Sequence, residues 1–251
     1  MMRETLVFGP IFSRRLGASL GINVLPEKGK LCNFDCIYCE CGWNADGRGD
    51  RRLPSAKELE KALEEKLSQC LKDGSKIDSI TFSGDGEPTL NPDFPAMVDI
   101  TISLRDKYFP SAAVTVLSNA STLWKPGIAA ALMKVDNPIL KIDAPSERLA
   151  AIVNRPSPGY DLGKVVSAME SLEGNFILQT MFLKAPGFDS SSEEVLSLWK
   201  DLVRRVRPRK VMVYTIARET PMKGLGKFTR EEMARLVGDL VEEGFDLQIN
   251  E

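Results

Sequence analysis

Leu31-Cys32-Asn33-Phe34-Asp35-Cys36-Ile37-Tyr38-Cys39 sets three cysteines in the arrangement Cys-x-x-x-Cys-x-x-Cys on one short stretch of chain. Three thiolates so spaced can each take one iron of a cubane 4Fe–4S cluster, leaving the fourth iron without a protein ligand and open to a substrate or co-substrate. A structural zinc site usually takes four Cys or His ligands in two separated pairs, and the nearest fourth sulfur here, Cys41, is crowded just beyond Cys39. Five cysteines in 251 residues is a sparse, odd count for a disulfide framework. With no apolar run resembling a signal peptide, the expected setting is the reducing cytosol, hence a cytoplasmic protein.

The chain is 43% hydrophobic and 27% charged, the balance of an ordinary globular enzyme. No apolar stretch is long enough to cross a bilayer, so no membrane partner is expected. The net charge of −2 gives no general attraction to phosphate. Histidine is absent from the sequence, which removes the usual general base and any Ser/His or Cys/His nucleophilic device. Hydrolytic and acyl-transfer functions are thereby disfavoured. No linker interrupts the pattern, and residues 1–251 are expected to form a single domain.

Apolar, β-branched runs recur at Leu20 to Leu25, Ile77 to Ser83, Ala113 to Ser118, Ile139 to Asp143, Phe176 to Phe182 and Lys210 to Ile216, which predicts six strands. Helical patterns lie between them. Ser55-x-x-Glu58 reads as a capping box, followed by Leu59, Leu63, Leu67 and Leu71 on one face and then Gly74. Cys70, beside that face, reads as a small buried apolar residue rather than a ligand. The same grammar returns at Ser191-x-x-Glu194 with Val195, Trp199, Leu202 and Val206. It returns again at Thr229-x-x-Glu232 with Met233, Leu236, Leu240 and Gly244, and at Asp161 with Leu162, Val165, Val166, Met169 and Gly174. Strand, helix, strand at this spacing implies parallel pairing and an open or closed barrel. Ligands of such sheets bind at the carboxyl ends of the strands, and the cysteine loop follows the first of the six.

The second predicted strand runs into Ser83-Gly84-Asp85-Gly86-Glu87-Pro88-Thr89-Leu90, where two glycines let backbone approach a ligand closely and carbonyls with a carboxylate can face a cation. Polar residues also stand at later strand ends: Ser118 and Asn119, Lys141 and Asp143, and Gln179. These are candidates for holding ribose, carboxylate or substrate, with a plain polar loop role as the alternative. Arg155 and Arg218 are the guanidinium forks suited to an anionic group, with surface ion pairs as the alternative.

The cysteine loop closely resembles that of the radical S-adenosylmethionine (radical SAM) superfamily. The resemblance implies an α/β fold, a partial (β/α)6 barrel with mostly parallel strands. It implies a 4Fe–4S cluster on Cys32, Cys36 and Cys39, with S-adenosylmethionine as the second cofactor. Gly84, Asp85, Gly86 and Glu87 resemble the superfamily's Gly-Gly-Glu-Pro element, which receives the methionine amino group, although Asp85 between the glycines departs from that pattern. Tyr38 stands where an aromatic residue lies near the adenine. Reductive cleavage would give a 5′-deoxyadenosyl radical that abstracts hydrogen from an unidentified substrate, the chemistry of an oxidoreductase or lyase. A flavodoxin or ferredoxin would supply the electron.

A narrower resemblance, to the Fe–S oxidoreductase-like group related to the wyosine-forming tRNA synthases, rests on several segments. They are Phe8 to Gly17, the cysteine loop, Ser83 to Leu90, Lys141-Ile142-Asp143-Ala144-Pro145, Asn154-Arg155-Pro156 and Tyr214-Thr215-Ile216-Ala217-Arg218. Complete wyosine-forming enzymes are associated with a second cluster, and Cys41 and Cys70 are too few to hold one. The basic runs Arg204, Arg205, Arg207, Arg209, Lys210 and Arg48, Arg51, Arg52 could meet phosphate or form a solvated face. Modification of tRNA is therefore the less favoured alternative, beside activation of a glycyl-radical protein partner.

Overall fold

The computed structural model describes residues 5–13, 15–47 and 50–251. Arg48, and Arg14 within the segment Phe8 to Gly17, lie outside the described residues. The chain divides into two compact units, one of Met1–Cys32, Asn44–Ser118 and Lys125–Pro138, the other of Asn33–Trp43, Asn119–Trp124 and Ile139–Glu251.

In the first unit β1 (Val7–Ser13) pairs antiparallel with β2 (Gly17–Ile22), and β2, β3 (Ser79–Phe82) and β4 (Ala113–Ser118) run parallel in that order. The last three correspond to predicted strands. β1 escaped prediction because Gly9-Pro10 interrupts it and its register slips between Phe8 and Ile11. A proline is tolerated in an edge strand, where no ladder bond is lost. All four residues of β3 are buried, and hydroxyls link the strands, Ser79 to Thr115 at 2.9 Å and Ser19 to Thr81 at 2.8 Å. Such side-chain pairs satisfy buried polar atoms across neighbouring strands.

α1 (Ala56–Lys72) carries the expected capping box, with Ser55 Oγ accepting from Glu58 N–H and the Glu58 carboxylate accepting from Ser55 N–H. Leu59, Leu63 and Leu67 are buried as expected. Cys70, not Leu71, completes the face: Cys70 is 3% exposed and Leu71 54%. Eleven residues is almost three full turns of 3.6, whereas twelve rotates the side chain off the stripe. α2 (Phe94–Tyr108) and α3 (Pro126–Leu132) follow.

The second unit contains β5 (Asn137–Lys141, its residues 139–141), α4 (Glu147–Val153), α5 (Leu162–Glu170), β6 (Ile177–Met181) and a two-residue hairpin, β7 (Lys184–Ala185) with β8 (Phe188–Asp189). It continues with α6 (Glu193–Val206), β9 (Lys210–Tyr214), α7 (Arg230–Glu242) and β10 (Leu247–Asn250). The strands pair parallel in the order β5, β6, β9, β10. β10 and the hairpin were not predicted; four and two residues carry too little periodicity.

Asp161 and Thr229 cap α5 and α7 as expected. On α7, however, Val237 and not Leu236 joins Met233 and Leu240 in the buried set. The box read at Ser191 shifts by one. Ser192 caps α6 by accepting from Val195 N–H, while Ser191 Oγ donates to Asp189 at 2.6 Å and Glu194 pairs with Arg148. Trp199 of α6 meets the Phe182 ring edge-on at 5.2 Å and donates to Thr180 Oγ1 at 3.0 Å. Since α6 covers the face bearing Thr180, the period of two turns Gln179 and Met181 to the other face, with Lys141 and Tyr214 beside them in register. No helix among the described residues is long and apolar enough to cross a membrane.

Candidate active site

In the first unit the residue before Cys32 is stitched to the Gly84–Glu87 turn. Leu31 N–H donates to Asp85 O and Glu87 N–H to Leu31 O, each at 3.0 Å, forming a parallel bridge between Leu31 and Gly86. Gly86 has φ +143°, and a Cβ there would drive into the Leu31 carbonyl. Its glycine requirement thus comes from the chain's own backbone. A Cβ on Gly84 would likewise strike the Asn23 side chain, whose Oδ1 accepts from Asp85 N–H at 3.2 Å. Asn23 had no sequence signal as a site residue.

Glu87, 2% exposed, caps the short 3-10 turn Pro88–Leu90. Its Oε1 accepts from Thr89 N–H at 3.1 Å, Thr89 Oγ1 at 2.5 Å and Ser118 Oγ at 2.9 Å. Two sequence candidates, Glu87 and Ser118, are therefore brought together. Asn44 Nδ2 donates to the Cys32 carbonyl at 3.1 Å.

In the second unit the loop carrying Cys36 and Cys39 lies along the end of α4. Asp35 N–H donates to Asn154 O at 2.9 Å and Ile37 N–H to Val153 O at 3.0 Å, while Cys39 N–H turns back to Cys36 O at 3.1 Å. Ile37 and Tyr38 are buried and anchor the loop in a core with Leu149, Val153, Met181 and Leu183. Asn119 serves that loop: its Nδ2 donates to Asn33 Oδ1 at 2.9 Å, and Asn33 Nδ2 donates to Ser121 Oγ at 2.6 Å.

Cys36, Tyr38, Lys141 and Asp143 meet in one polar network. Asp143, 4% exposed, accepts from the Tyr38 hydroxyl, from Asn154 Nδ2 at 2.6 Å and from Met181 N–H at 2.8 Å. Lys141 Nζ stands 3.8 Å from Asp143 Oδ1, donates to the Tyr214 hydroxyl, and lies 4.5 and 5.0 Å from the Tyr38 and Tyr214 ring centres. Burial works against the Lys141 charge, but the Asp143 carboxylate and its neighbours outweigh it and hold the ammonium above its ordinary range. Burial pushes the Cys36 thiol up to about 11, against the pull of the Lys141 charge. Asn154 Nδ2 reaches Cys36 Sγ at 3.4 Å and the Tyr38 oxygen at 3.0 Å.

Asn154 and Tyr214 received no role from sequence. Tyr214 could have been found, since it ends a strand as Lys141 does. Gln179, directly opposite Lys141 in register, is 5% exposed and its Nε2 has no hydrogen-bond partner among the described residues. Arg155 and Arg218 are placed apart from this network, Arg155 over the Trp43 ring at 4.8 Å and Arg218 paired with Glu40 at 2.6 Å.

All five cysteines are unbridged; Cys70 is buried, and Cys32, Cys36, Cys39 and Cys41 are partly exposed. No group of three or more His, Cys, Asp or Glu side chains converges as a single metal ion requires, among the described residues. A cubane asks for something else, because each thiolate takes its own iron and the sulfurs need not meet at one point. Unbridged soft donors on a fixed loop, one of them receiving an amide N–H, fit that demand.

Part of each basic run is ion-paired. Arg204 pairs with Glu243 and Asp201, Arg205 with Glu170 and Lys210 with Asp246, while Arg52 pairs with Glu58.

Parallel strands bearing a three-cysteine loop and polar strand ends define an α/β cofactor-dependent class. The chain belongs to the Radical SAM superfamily, whose model matches residues 27–198. Members of that superfamily use a 4Fe–4S cluster and S-adenosylmethionine, so the expected cofactors stand. The chain is 32% identical over 216 residues to the UPF0026 protein MJ1312 of Methanocaldococcus jannaschii, covering 84% of this chain and 63% of that protein. Its fold is shared with Streptococcus suis SuiB bound to S-adenosylmethionine, at TM-score 0.64 and 18% identity over 88% of this chain and 48% of that one. It is shared too with a radical SAM methyltransferase from Sphaerobacter thermophilus, at TM-score 0.67 and 16% identity over 95% of this chain and 67% of that one. These likenesses bear out the α/β, mostly parallel partial-barrel class. The chain spans less than two thirds of MJ1312 and about half of SuiB.

Proposed function

We propose that the protein is a radical SAM enzyme of oxidoreductase or lyase type acting on a substrate yet to be identified. Cys32, Cys36 and Cys39 hold the cluster. When bound, the two cofactors supply a one-electron cleavage of S-adenosylmethionine and hence hydrogen-atom abstraction from substrate. The observation that carries this reading is the loop 31–39 itself: three unbridged, partly exposed thiols in Cys-x-x-x-Cys-x-x-Cys spacing, within a matched superfamily domain.

The remaining residues take roles by chemistry. Glu87 and the backbone of Gly84, Asp85 and Gly86 face the methionine ammonium, with Ser118 fixing the Glu87 carboxylate. Asn119 orients the loop through Asn33. Tyr38 and Asp143 brace the loop from within while Lys141 offers a fixed positive charge, and the orphan amide of Gln179 is a donor for an oxygen of cofactor or substrate. Arg155 and Arg218 receive an anionic substrate group, Arg218 by exchanging Glu40 for it. An electron donor such as a flavodoxin or ferredoxin completes the system.

Within the superfamily, the segments around Phe8, Lys141, Asn154 and Tyr214 support placement beside the wyosine-forming group. Base modification of tRNA is nonetheless not favoured, because Cys41 and Cys70 are too few for a second cluster and Arg204, Arg205 and Lys210 of the basic run are already paired with carboxylates. The test is to reduce the reconstituted protein with S-adenosylmethionine and candidate substrates. Deuterium from the labelled substrate should appear in 5′-deoxyadenosine, and its absence with every class tried, tRNA included, would reject hydrogen abstraction.

A further inference from the structure

Asn154 Nδ2 donates to a cluster-loop sulfur, Cys36 Sγ, at 3.4 Å. Asn154 is 3% exposed, and its backbone is held from both sides. Its N–H donates to Ala150 O at 2.8 Å as the C-cap of α4, and its carbonyl receives Asp35 N–H at 2.9 Å from the cysteine loop. The amide orientation is fixed as well. Asp143 Oδ2 at 2.6 Å is an acceptor, as is a ligating thiolate, and the Tyr38 hydroxyl at 3.0 Å already donates its own hydrogen to Asp143, so only the NH2 end of the amide can face all three, its two hydrogens shared among them. Asp143 is itself held by Met181 N–H at 2.8 Å. A rigid donor is thus aimed at one sulfur from a fixed distance.

We propose that Asn154 is a positioning residue that sets the reduction potential of the cluster, its N–H bond to the Cys36 thiolate stabilising the reduced state. This rests on the cluster reading above. Reduction adds negative charge that spreads onto the thiolate sulfurs, and a donor to one of them favours the more negative state. Removing the donor lowers the potential and makes the cluster harder to reduce. Nothing in the effect requires contact with S-adenosylmethionine or substrate.

The experiment uses the full chain, reconstituted without oxygen, as wild type, Asn154→Leu, Asn154→Ser and Cys70→Ala. Leucine keeps the γ-branched outline of asparagine without a donor but is bulkier, and serine is too short to reach the sulfur while adding no bulk, so an effect shared by both reports the lost donor. Iron and sulfide are counted, and the reduced fraction is read by electron paramagnetic resonance at a series of fixed potentials. At the potential that half-reduces the wild type, both Asn154 variants should show a reduced-to-oxidised ratio about tenfold lower, which is about 59 mV for one electron. Cys70→Ala should match the wild type. An unchanged midpoint in fully loaded Asn154 variants would overturn the proposal. Loss of the cluster from both variants would overturn it too, assigning Asn154 to loop folding alone. A wild type that binds no iron would instead reject the cluster reading and this inference with it.

Discussion

Replacing Gly86 by alanine should destabilise the protein far more than replacing a glycine that also has positive φ but stands in open surroundings. Gly86 sits at φ +143° beside the Leu31 carbonyl, and the two bonds of the bridge, Leu31 N–H to Asp85 O and Glu87 N–H to Leu31 O, are each 3.0 Å. A side chain forces the strands of the bridge apart. Losing two hydrogen bonds costs roughly 2 kcal/mol, and the strained backbone adds about 1–3 kcal/mol, so the total is about 3–5 kcal/mol. Gly74 is the control, with φ +66° and nothing within 4 Å of an added Cβ. It should lose only roughly 1 kcal/mol from its backbone. At about 2–4 °C per kcal/mol for a chain of this size, Gly86→Ala should melt about 6–20 °C below wild type and Gly74→Ala about 2–4 °C below. Thermal unfolding followed by circular dichroism reads both. Equal shifts would refute the argument that Gly86 is required by the Leu31 carbonyl.

Trp199→Ala should lower stability by about 3–5 kcal/mol in chemical denaturation, since it empties a buried site and removes a donor to Thr180 Oγ1, whereas Trp199→Phe keeps an aromatic ring and should lose less. Ser192→Ala should lower the denaturation midpoint by the equivalent of about 1 kcal/mol for the lost cap; an unchanged midpoint would move the start of α6 back to the sequence reading. Burial opposes ionisation of Asp136, but Val114 N–H and Arg105, each at 2.8 Å, hold its carboxyl below the ordinary range. A depressed folded value gives stability that is present above the unfolded carboxylate value and lost as pH falls through the folded one. Asp136→Asn should therefore flatten the acid limb of a pH–stability curve below about pH 4 and leave its neutral shape unchanged.

The parallel strands and the helix caps were legible because period and capping chemistry are local. Ser55 and Thr229 announce their helices by a glutamate three positions on, and Asp161 by the apolar period that follows it. Misreadings fell where local signals tie: Ser191 and Ser192 offer adjacent hydroxyls, and the choice depends on Asp189 claiming the first. Leu71 looked like core by hydrophobicity alone, yet helical rotation gives its place to Cys70. Of the site, the cysteines and strand-end polar groups could be named from spacing. Their partners could not, because the bond from Asn154 to Cys36 spans 118 positions and that from Tyr38 to Asp143 spans 105. Gly86 was read as room for a ligand. The turn's pairing with Leu31, invisible in a linear pattern, supplies its steric reason.

Cys32, Cys36 and Cys39 are proposed to hold a cluster that drives cleavage of S-adenosylmethionine. The most direct test of that proposal counts iron and sulfide in the reconstituted wild type, in the triple variant Cys32→Ala, Cys36→Ala, Cys39→Ala and in Cys70→Ala, and then measures 5′-deoxyadenosine after reduction with S-adenosylmethionine. Wild type and Cys70→Ala should hold about four iron and about four sulfide per chain and form 5′-deoxyadenosine, while the triple variant does neither. Iron bound equally by the triple variant, or a loaded wild type that leaves S-adenosylmethionine intact, would contradict it.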